Sequence, residues 1–393
     1  MTDSGPAPTG RLLTMATLPF FLGGFLGPVG TLAVISIYPE LRDSFGVSTS
    51  AVSWSLSGYF FPMAALMLVS GTIGERLGRK RVTRTAFVLY AVASLGCVLA
   101  PNFALFLAAR VMQGVCNAFV TPLLIAGLAE VIHPAQLGKA VGIYAGFQAI
   151  GGASAPFISG LAALIDWRWA FVAIGLVALG LALRPPEGEP RPAASAPPIR
   201  PLLTMKMSSL CLAALSAAAG PIGIGVLVGV YLRDGLDVSS ATTGAILFAS
   251  GLSIMALSPT WGRLIDLWGT RRAALVSATV VTACTVPLGL IESAWLLAIV
   301  WVVVAALVGS VAVALQHLAA IAVPTNRGGA LSAVLSFRFL GHAIGPIVWV
   351  PLLDDAVAVA FAGAGALGVL TIVGFALATR EPTQESTRNT PRP

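Results

Sequence analysis

Long apolar runs, separated by short polar interruptions, recur along the whole chain. An α-helix needs about 20 apolar residues to cross a hydrocarbon core of roughly 30 Å. The pattern predicts twelve such helices, at 14–37, 51–72, 85–103, 105–130, 140–163, 169–184, 207–231, 242–261, 273–291, 294–317, 329–351 and 356–378. The runs are unbroken, whereas the strands of a membrane barrel alternate faces over about ten residues, so helices are expected. The opening MTDSGPAPTG is short, polar and rich in Pro and Gly, and reads as a tail and not as a signal peptide. The proline-rich stretch from Arg184 to Pro201 cannot continue a helix and reads as a semi-rigid linker. The predicted layout is a tail at 1–13, six helices in 14–184, a linker at 185–206, six helices in 207–378 and a tail at 379–393.

Two of the polar interruptions match each other. GTIGERLGRKR starts at Gly71 and GRLIDLWGTRR at Gly262, 191 residues apart, each between the second and third apolar segments of its half. The fifth helix carries Gly151, Pro156 and Gly160, and the eleventh carries Gly341, Gly345 and Pro346, with Gly151 and Gly341 190 residues apart. In the first and seventh helices, GPVG at Gly27 and Pro28 matches GPIG at Gly220 and Pro221. Landmarks repeating at nearly one offset imply two homologous halves. Proline inside a spanning helix kinks it, and glycine lets backbones or a ligand approach closely. Breaks at corresponding positions of two halves point to a substrate site near the midplane between them.

Composition agrees with the bilayer. The chain is 57% hydrophobic and only 10% charged, where soluble domains carry roughly a quarter charged residues. Its bases gather in the termini and even-numbered loops, from Arg11 through clusters at 76–84, 184–206 and 263–272 to Arg380; only Arg42, Arg168 and Arg233 fall on the other side. That asymmetry predicts a multi-pass protein of the inner cell membrane with both termini cytoplasmic. The formal net charge of +7 then reflects topology and not nucleic-acid binding. Cys97, Cys116, Cys211 and Cys284 lie on different helices without metal-ligand spacing and read as packing residues, so no metal or cofactor is expected.

On these motifs the chain resembles the major facilitator superfamily, and more narrowly its twelve-helix drug:proton antiporters. GERLGRKR and GRLIDLWGTRR resemble the family's loop motif and its copy in the second half, and Arg110-x-x-Gln113-Gly114 resembles its helix 4 motif. The Gly151 to Gly160 stretch resembles the helix 5 signature of the antiporter branch, with Ala155 and Ser159 in place of the usual glycines. The resemblance implies an all-α integral membrane fold of two pseudo-symmetric six-helix bundles around a central cavity. It implies a monomeric secondary transporter working by alternating access, coupled to protons and exporting a hydrophobic or amphiphilic small molecule. It also implies a gating role at the cytoplasmic surface for Glu75, Arg76, Arg79, Asp266 and Arg271, which latch one half to the other through opposite charges.

Two polar stripes are candidate linings of the substrate and proton pathway. Arg110, Gln113, Gly114 and Asn117 follow helical spacing on the fourth helix, and Arg338 and His342 do so on the eleventh, where Gln148 of the fifth helix is the position equivalent to Arg338. Every acid can be assigned to a tail, a loop or a helix end. A cavity with two arginines and no carboxylate has positive potential, which favours anionic or neutral amphiphiles over lipophilic cations. Proton coupling would then run through His342, a helix-end acid such as Glu130 or Asp166, or the loop charges. Three scattered histidines and no buried acid argue against an enzyme, and without a phosphate-binding loop ATP is not the expected driver. The alternatives are an importer or facilitator of a small metabolite and, further off, a non-transporting receptor-like protein.

Overall fold

The computed structural model describes residues 13–185 and 200–380, and every regular element among them is helical. The first half comprises α1 (Leu18–Leu32), α2 (Tyr38–Phe45), α3 (Thr49–Leu77), α4 (Arg79–Leu99), α5 (Phe103–Val131), α6 (Pro134–Ala162) and α7 (Arg168–Leu183). The second comprises α8 (Met205–Ala219), α9 (Gly225–Val230), α10 (Ser240–Trp268), α11 (Thr270–Thr285), α12 (Ala294–Ala322), α13 (Arg327–Trp349), α14 (Val357–Ala366) and α15 (Gly368–Ala378). Ten stretches among the described residues are long and apolar enough to cross a membrane, and α7 and α8 are shorter apolar helices. Most of the expected linker, 186–199, and the expected tails at 1–12 and 381–393 lie outside the described residues.

Helix starts repeat between the halves. Ser48 Oγ accepts from the Ala51 N–H at 3.1 Å, as Ser239 Oγ does from Thr242 at 3.2 Å. Asn102 Oδ1 accepts from Leu105 N–H at 3.0 Å, as Ser293 Oγ does from Leu296 at 3.5 Å. Positions 48 and 239, like 102 and 293, differ by the same 191 residues as the motifs. A side-chain acceptor at these positions satisfies one of the free N–H groups of a helix start.

Three expectations need correction. The motifs are not loops: the glycine-to-acid part of each continues α3 or α10, and the bases begin α4 or α11. Only Gly78 (φ 91°) and Gly269 (φ 78°) make the turn, in a region of backbone space that a side chain disfavours. Polar residues end a helix only where they offer the backbone other partners, so the helices outrun their apolar runs. Next, the first span is not continuous to residue 37: α1 stops at Leu32, and a short 3-10 turn (Ile35–Ile37) leads into α2. Finally, the two Gly-Pro breaks differ: α1 runs through Pro28, while the second half stops at Ala219 and resumes at Gly225. Gly220 there lies against the Ala364 carbonyl, which leaves no room for a Cβ.

The halves meet through two equivalent contacts, α3 with α13 and α6 with α10. Along α6 and α10, Ser240 Oγ donates to the Gly160 carbonyl at 3.0 Å, Phe157 stacks on Phe248 with ring centroids 5.6 Å apart, and Gly244 fits under the Pro156 carbonyl. Contact ends near Ala153 and Gly251. Toward the motif end, Gly138, Gly142 and Gly146 of α6 and Gly262 of α10 have no neighbouring element within 4 Å of where a Cβ would stand. Gly71 of α3 is equally free, so the close helix contact that its glycine permits is not made in this conformation. Leu68 and Val69 of α3 are exposed there. The halves therefore close at one end and part at the other.

Gly244→Val forces a side chain into the Pro156 backbone, and overpacking of this kind costs about 1–3 kcal/mol. Its thermal unfolding midpoint in detergent is expected to fall, whereas Gly142→Ala, with free space and better helix propensity, should hold or raise it. Equal midpoints for the two variants would contradict the asymmetric closure.

Candidate translocation site

The α5 stripe lies inside the first half. Arg110 has 0% relative exposure, and its guanidinium is surrounded by acceptors. Nε donates to the Ser55 carbonyl at 3.1 Å, Nη1 to the Gly30 carbonyl and to Gln113 Oε1 at 2.7 Å each, and Nη2 to the Thr31 carbonyl at 2.9 Å. Gly30 and Thr31 are in the last turn of α1, whose carbonyls have no intrahelical partner and carry the negative end of the helix dipole. Arg110 thus caps the end of α1. The Tyr59 ring lies 4.6 Å from the guanidinium carbon and the Phe171 ring 5.8 Å, distances at which a cation is attracted by an aromatic face.

Gln113 passes the network to α4 by donating to Ser94 Oγ at 2.9 Å. Asn117 contacts Met63 Sδ at 3.6 Å and lies against Gly27, and Gly114 sits under the Tyr59 carbonyl. These four residues were expected to face a central cavity. In this conformation Arg110 and Gln113 have no exposed surface and Asn117 almost none, so the stripe joins α1, α3, α4 and α5 instead. The early end of α1 is what brings acceptors to it.

The α13 stripe lies between the halves. Ser336 Oγ donates to the Ala64 carbonyl of α3, and Phe60 of α3 stacks on Phe339 (5.8 Å, 20°) and on His342 (5.3 Å, 22°). Gly341 and Gly345 press on the backbone of α8 at Leu215 and Ala219. Arg338 occupies the strip of α13 between the α3-facing and α8-facing residues, and its Nε is buried with no hydrogen-bond partner. On α6, Gly151 presses in the same way on the Phe25 carbonyl of α1, while Pro156 and Gly160 face α10. Gln148, half-buried, precedes Gly151 by the three residues that separate Arg338 from Gly341.

Of the motif charges, Arg79 is 5% exposed and pairs with Glu130 at 2.6 Å, an ion pair within the first half. Arg76, Asp266 and Arg271 are exposed, and the Glu75 side chain lies outside the described residues. The ion pairs that do cross between halves are at the other end. Arg42 Nη1 is 2.9 Å from Asp234 Oδ1, and Arg233 pairs with Glu40. Sequence reasoning missed this cluster, although one signal was present: Leu41-Arg42-Asp43 recurs 191 residues on as Leu232-Arg233-Asp234. The arginine of each copy pairs with an acid of the other half.

The model of the Major Facilitator Superfamily matches residues 20–220 and 207–393. Among curated proteins, YceJ of Bacillus subtilis, an uncharacterized MFS-type transporter, is 30% identical over 261 residues, covering 64% of this chain and 66% of that protein. The drug efflux pump JefA of Mycobacterium tuberculosis is 32% identical over 169 residues, covering 42% of this chain and 32% of the pump. The matched stretch is thus less than two thirds of either relative's length. In fold, the chain is similar to a bacterial homolog of the human lysosomal transporter Spinster in an inward-facing, unoccupied conformation, with TM-score 0.72 and 20% identity over 92% of this chain and 94% of that one. It is also similar to the human organic anion transporter MFSD10, with TM-score 0.69 and 16% identity over 92% and 98%.

Arg110→Met would strand the Gly30 and Thr31 carbonyls at the end of α1, each costing about 1–3 kcal/mol when buried without a donor. The variant is expected to melt well below the wild type in detergent, with Arg110→Lys in between because an ammonium lacks the planar fork. An unchanged midpoint for Arg110→Met would refute the capping role.

Proposed function

Because the chain belongs to the major facilitator superfamily, we propose that it is a secondary active transporter of hydrophobic or amphiphilic compounds, moving them outward by alternating access in exchange for protons. In this reading twelve spans form two six-helix bundles, 14–184 and 207–378, that rock about a central site as a monomer. The motif end faces the cytoplasm, consistent with the bases gathered there. The observation that carries the reading is the asymmetric closure of the halves. Two ion pairs and the packed glycines of α6 and α10 hold one end together, while toward the motif end Gly71, Gly142, Gly146 and Gly262 meet no neighbouring element and Arg76, Asp266 and Arg271 are exposed. A set of small residues without neighbours on facing helices is what a second, oppositely closed packing would use.

Outward direction is supported by the relative named a drug efflux pump and by the helix 5 signature. Substrate chemistry follows from the charge census: Arg110 is bound up with α1 and Arg42 and Arg233 are paired with acids at the closed end, which leaves Arg338, among the described residues, as the arginine between the halves with a buried unpartnered nitrogen. Anionic and neutral amphiphiles are therefore favoured over cations. The deciding experiment is transport by purified protein in proteoliposomes, with and without an imposed pH gradient, using a panel of amphiphiles matched in size and differing in charge. Gradient-driven movement of anionic or neutral members supports the reading; clear preference for cations, or indifference to the gradient, counts against it.

Two variants test its parts. Glu40→Arg places a base against Arg233 and should shift the population toward opening at that end by roughly tenfold, the effect of ~1.4 kcal/mol; adding Arg233→Glu should reverse the shift. Interspin distances between labels on α2 and the Tyr231–Gly235 segment report it, and a distribution unchanged by the single variant would remove these pairs from the gate. His342→Gln, if this ring carries the coupled proton, should abolish gradient-driven transport while substrate binding persists.

A further inference from the structure

We propose that Arg338 of α13, together with Gln148 at the equivalent position of α6, forms the head-group dock for an organic carboxylate whose apolar body lies at the level of the Phe60, Phe339 and His342 rings. This rests on the transport reading above and names the substrate class of its site.

The starting point is the contrast between two arginines at membrane depth. Arg110 has its guanidinium nitrogens committed to three carbonyls and an amide oxygen. Arg338 has a buried Nε with no partner. A guanidinium in an apolar setting is costly unless it faces water, a partner or a ligand. Snorkelling does not resolve the matter, because eleven residues at a rise of 1.5 Å put Arg338 about 17 Å along α13 from Arg327, beyond the reach of its side chain to the helix end.

Direction comes from the neighbours on the same helix. Ser336, Phe339 and His342 are fixed against α3, and Gly341 and Gly345 against α8. The strip between them, where Arg338 stands, is turned toward the region enclosed by the two halves. The repeat brings Gln148 to the matching strip of α6, between the α1-facing Gly151 and the α10-facing Pro156 and Gly160.

The donor set then selects the ligand. One planar guanidinium matches one carboxylate through two parallel N–H···O bonds. A carboxamide at the equivalent position of α6 supplies an N–H donor without adding charge. A dianion such as a phosphate monoester would call for a second base, and Arg110 is already bound to α1. An ammonium meets repulsion. The aromatic rings beside Arg338 suit a flat apolar body.

The test uses full-length protein in zwitterionic nanodiscs and three probes of one shape: 2-naphthoate, 2-naphthamide and 2-naphthylmethylammonium. Wild type should bind the carboxylate tightest. Arg338→Gln should weaken the carboxylate about tenfold or more, the loss expected for a hydrogen-bonded charge, while the amide changes little and so reports an intact site. The double variant Arg338→Gln with Gln148→Arg moves the cation to its mate position and should restore the carboxylate preference. Gln148→Arg alone, which leaves Arg338 in place, should tighten carboxylate binding even if Arg338→Gln fails to fold. Equal binding of carboxylate and amide by wild type, or equal weakening of both by Arg338→Gln, overturns the dock. So does loss of carboxylate binding when phosphatidylglycerol is added to the nanodiscs, which would assign Arg338 to lipid head groups. If the carboxylate binds with the stated preference but is not carried across proteoliposomes, the transport reading fails and the dock stands; if the amide is transported and no acid preference exists, the dock fails and transport stands.

Discussion

A helix that stops inside a packed chain leaves carbonyls that water cannot reach, and the first half of this protein is organised by how it answers that constraint. α1 ends at Leu32, and the guanidinium of Arg110 takes up the free carbonyls of Gly30 and Thr31. The same group binds the Ser55 carbonyl of α3 and, through Gln113, reaches Ser94 of α4, while Phe171 of α7 closes over it. Five helices therefore converge on one cation. A buried charge is usually a liability, but here its cost is offset by satisfying acceptors that would otherwise stand unpaired. The stop in α1 in turn frees the chain to turn into α2, which places Glu40 and Arg42 against the second half.

That chain of dependence marks the limit of what the sequence could convey. Apolar run length and the repeat of one motif at Gly71 and Gly262 are patterns within the chain and so were legible, and the structure adds that Gly78 and Gly269 turn alike and that Ser48 and Ser239 cap alike. The fate of each lone arginine was not local. Arg110 with Gln113 and Arg338 with His342 look the same as patterns, a base followed by a polar residue on one helix face. What separates them is the helix on the other side: a broken end of α1 for one, the boundary between the halves for the other. The motif charges were misread as loop residues for a related reason. Hydropathy reports where hydrocarbon ends, and helices continue beyond it.

Twofold repetition also constrains where charge can sit. The contacts between halves are themselves paired, α3 with α13 and α10 with α6, so a residue near the axis relating them meets its own repeat mate. A repeat carrying charge of one sign there would face its like. The Leu-Arg-Asp repeat at 41–43 and 232–234 carries both signs, and the arginine of each copy takes an acid of the other half, Arg42 with Asp234 and Arg233 with Glu40.

The same reasoning applies at the level of Arg338. Two guanidiniums on the mated strips of α6 and α13 would repel across a region of low dielectric, and the chain places an arginine on one and glutamine on the other. Identity between the repeats therefore follows architecture: the turns at Gly78 and Gly269, and the glycines at 151 and 341 that seat α6 on α1 and α13 on α8. Divergence at Gln148 and Arg338 leaves a single cation there, so the two halves differ in chemistry at a point where the seats around it, Gly151 on α1 and Gly341 on α8, repeat.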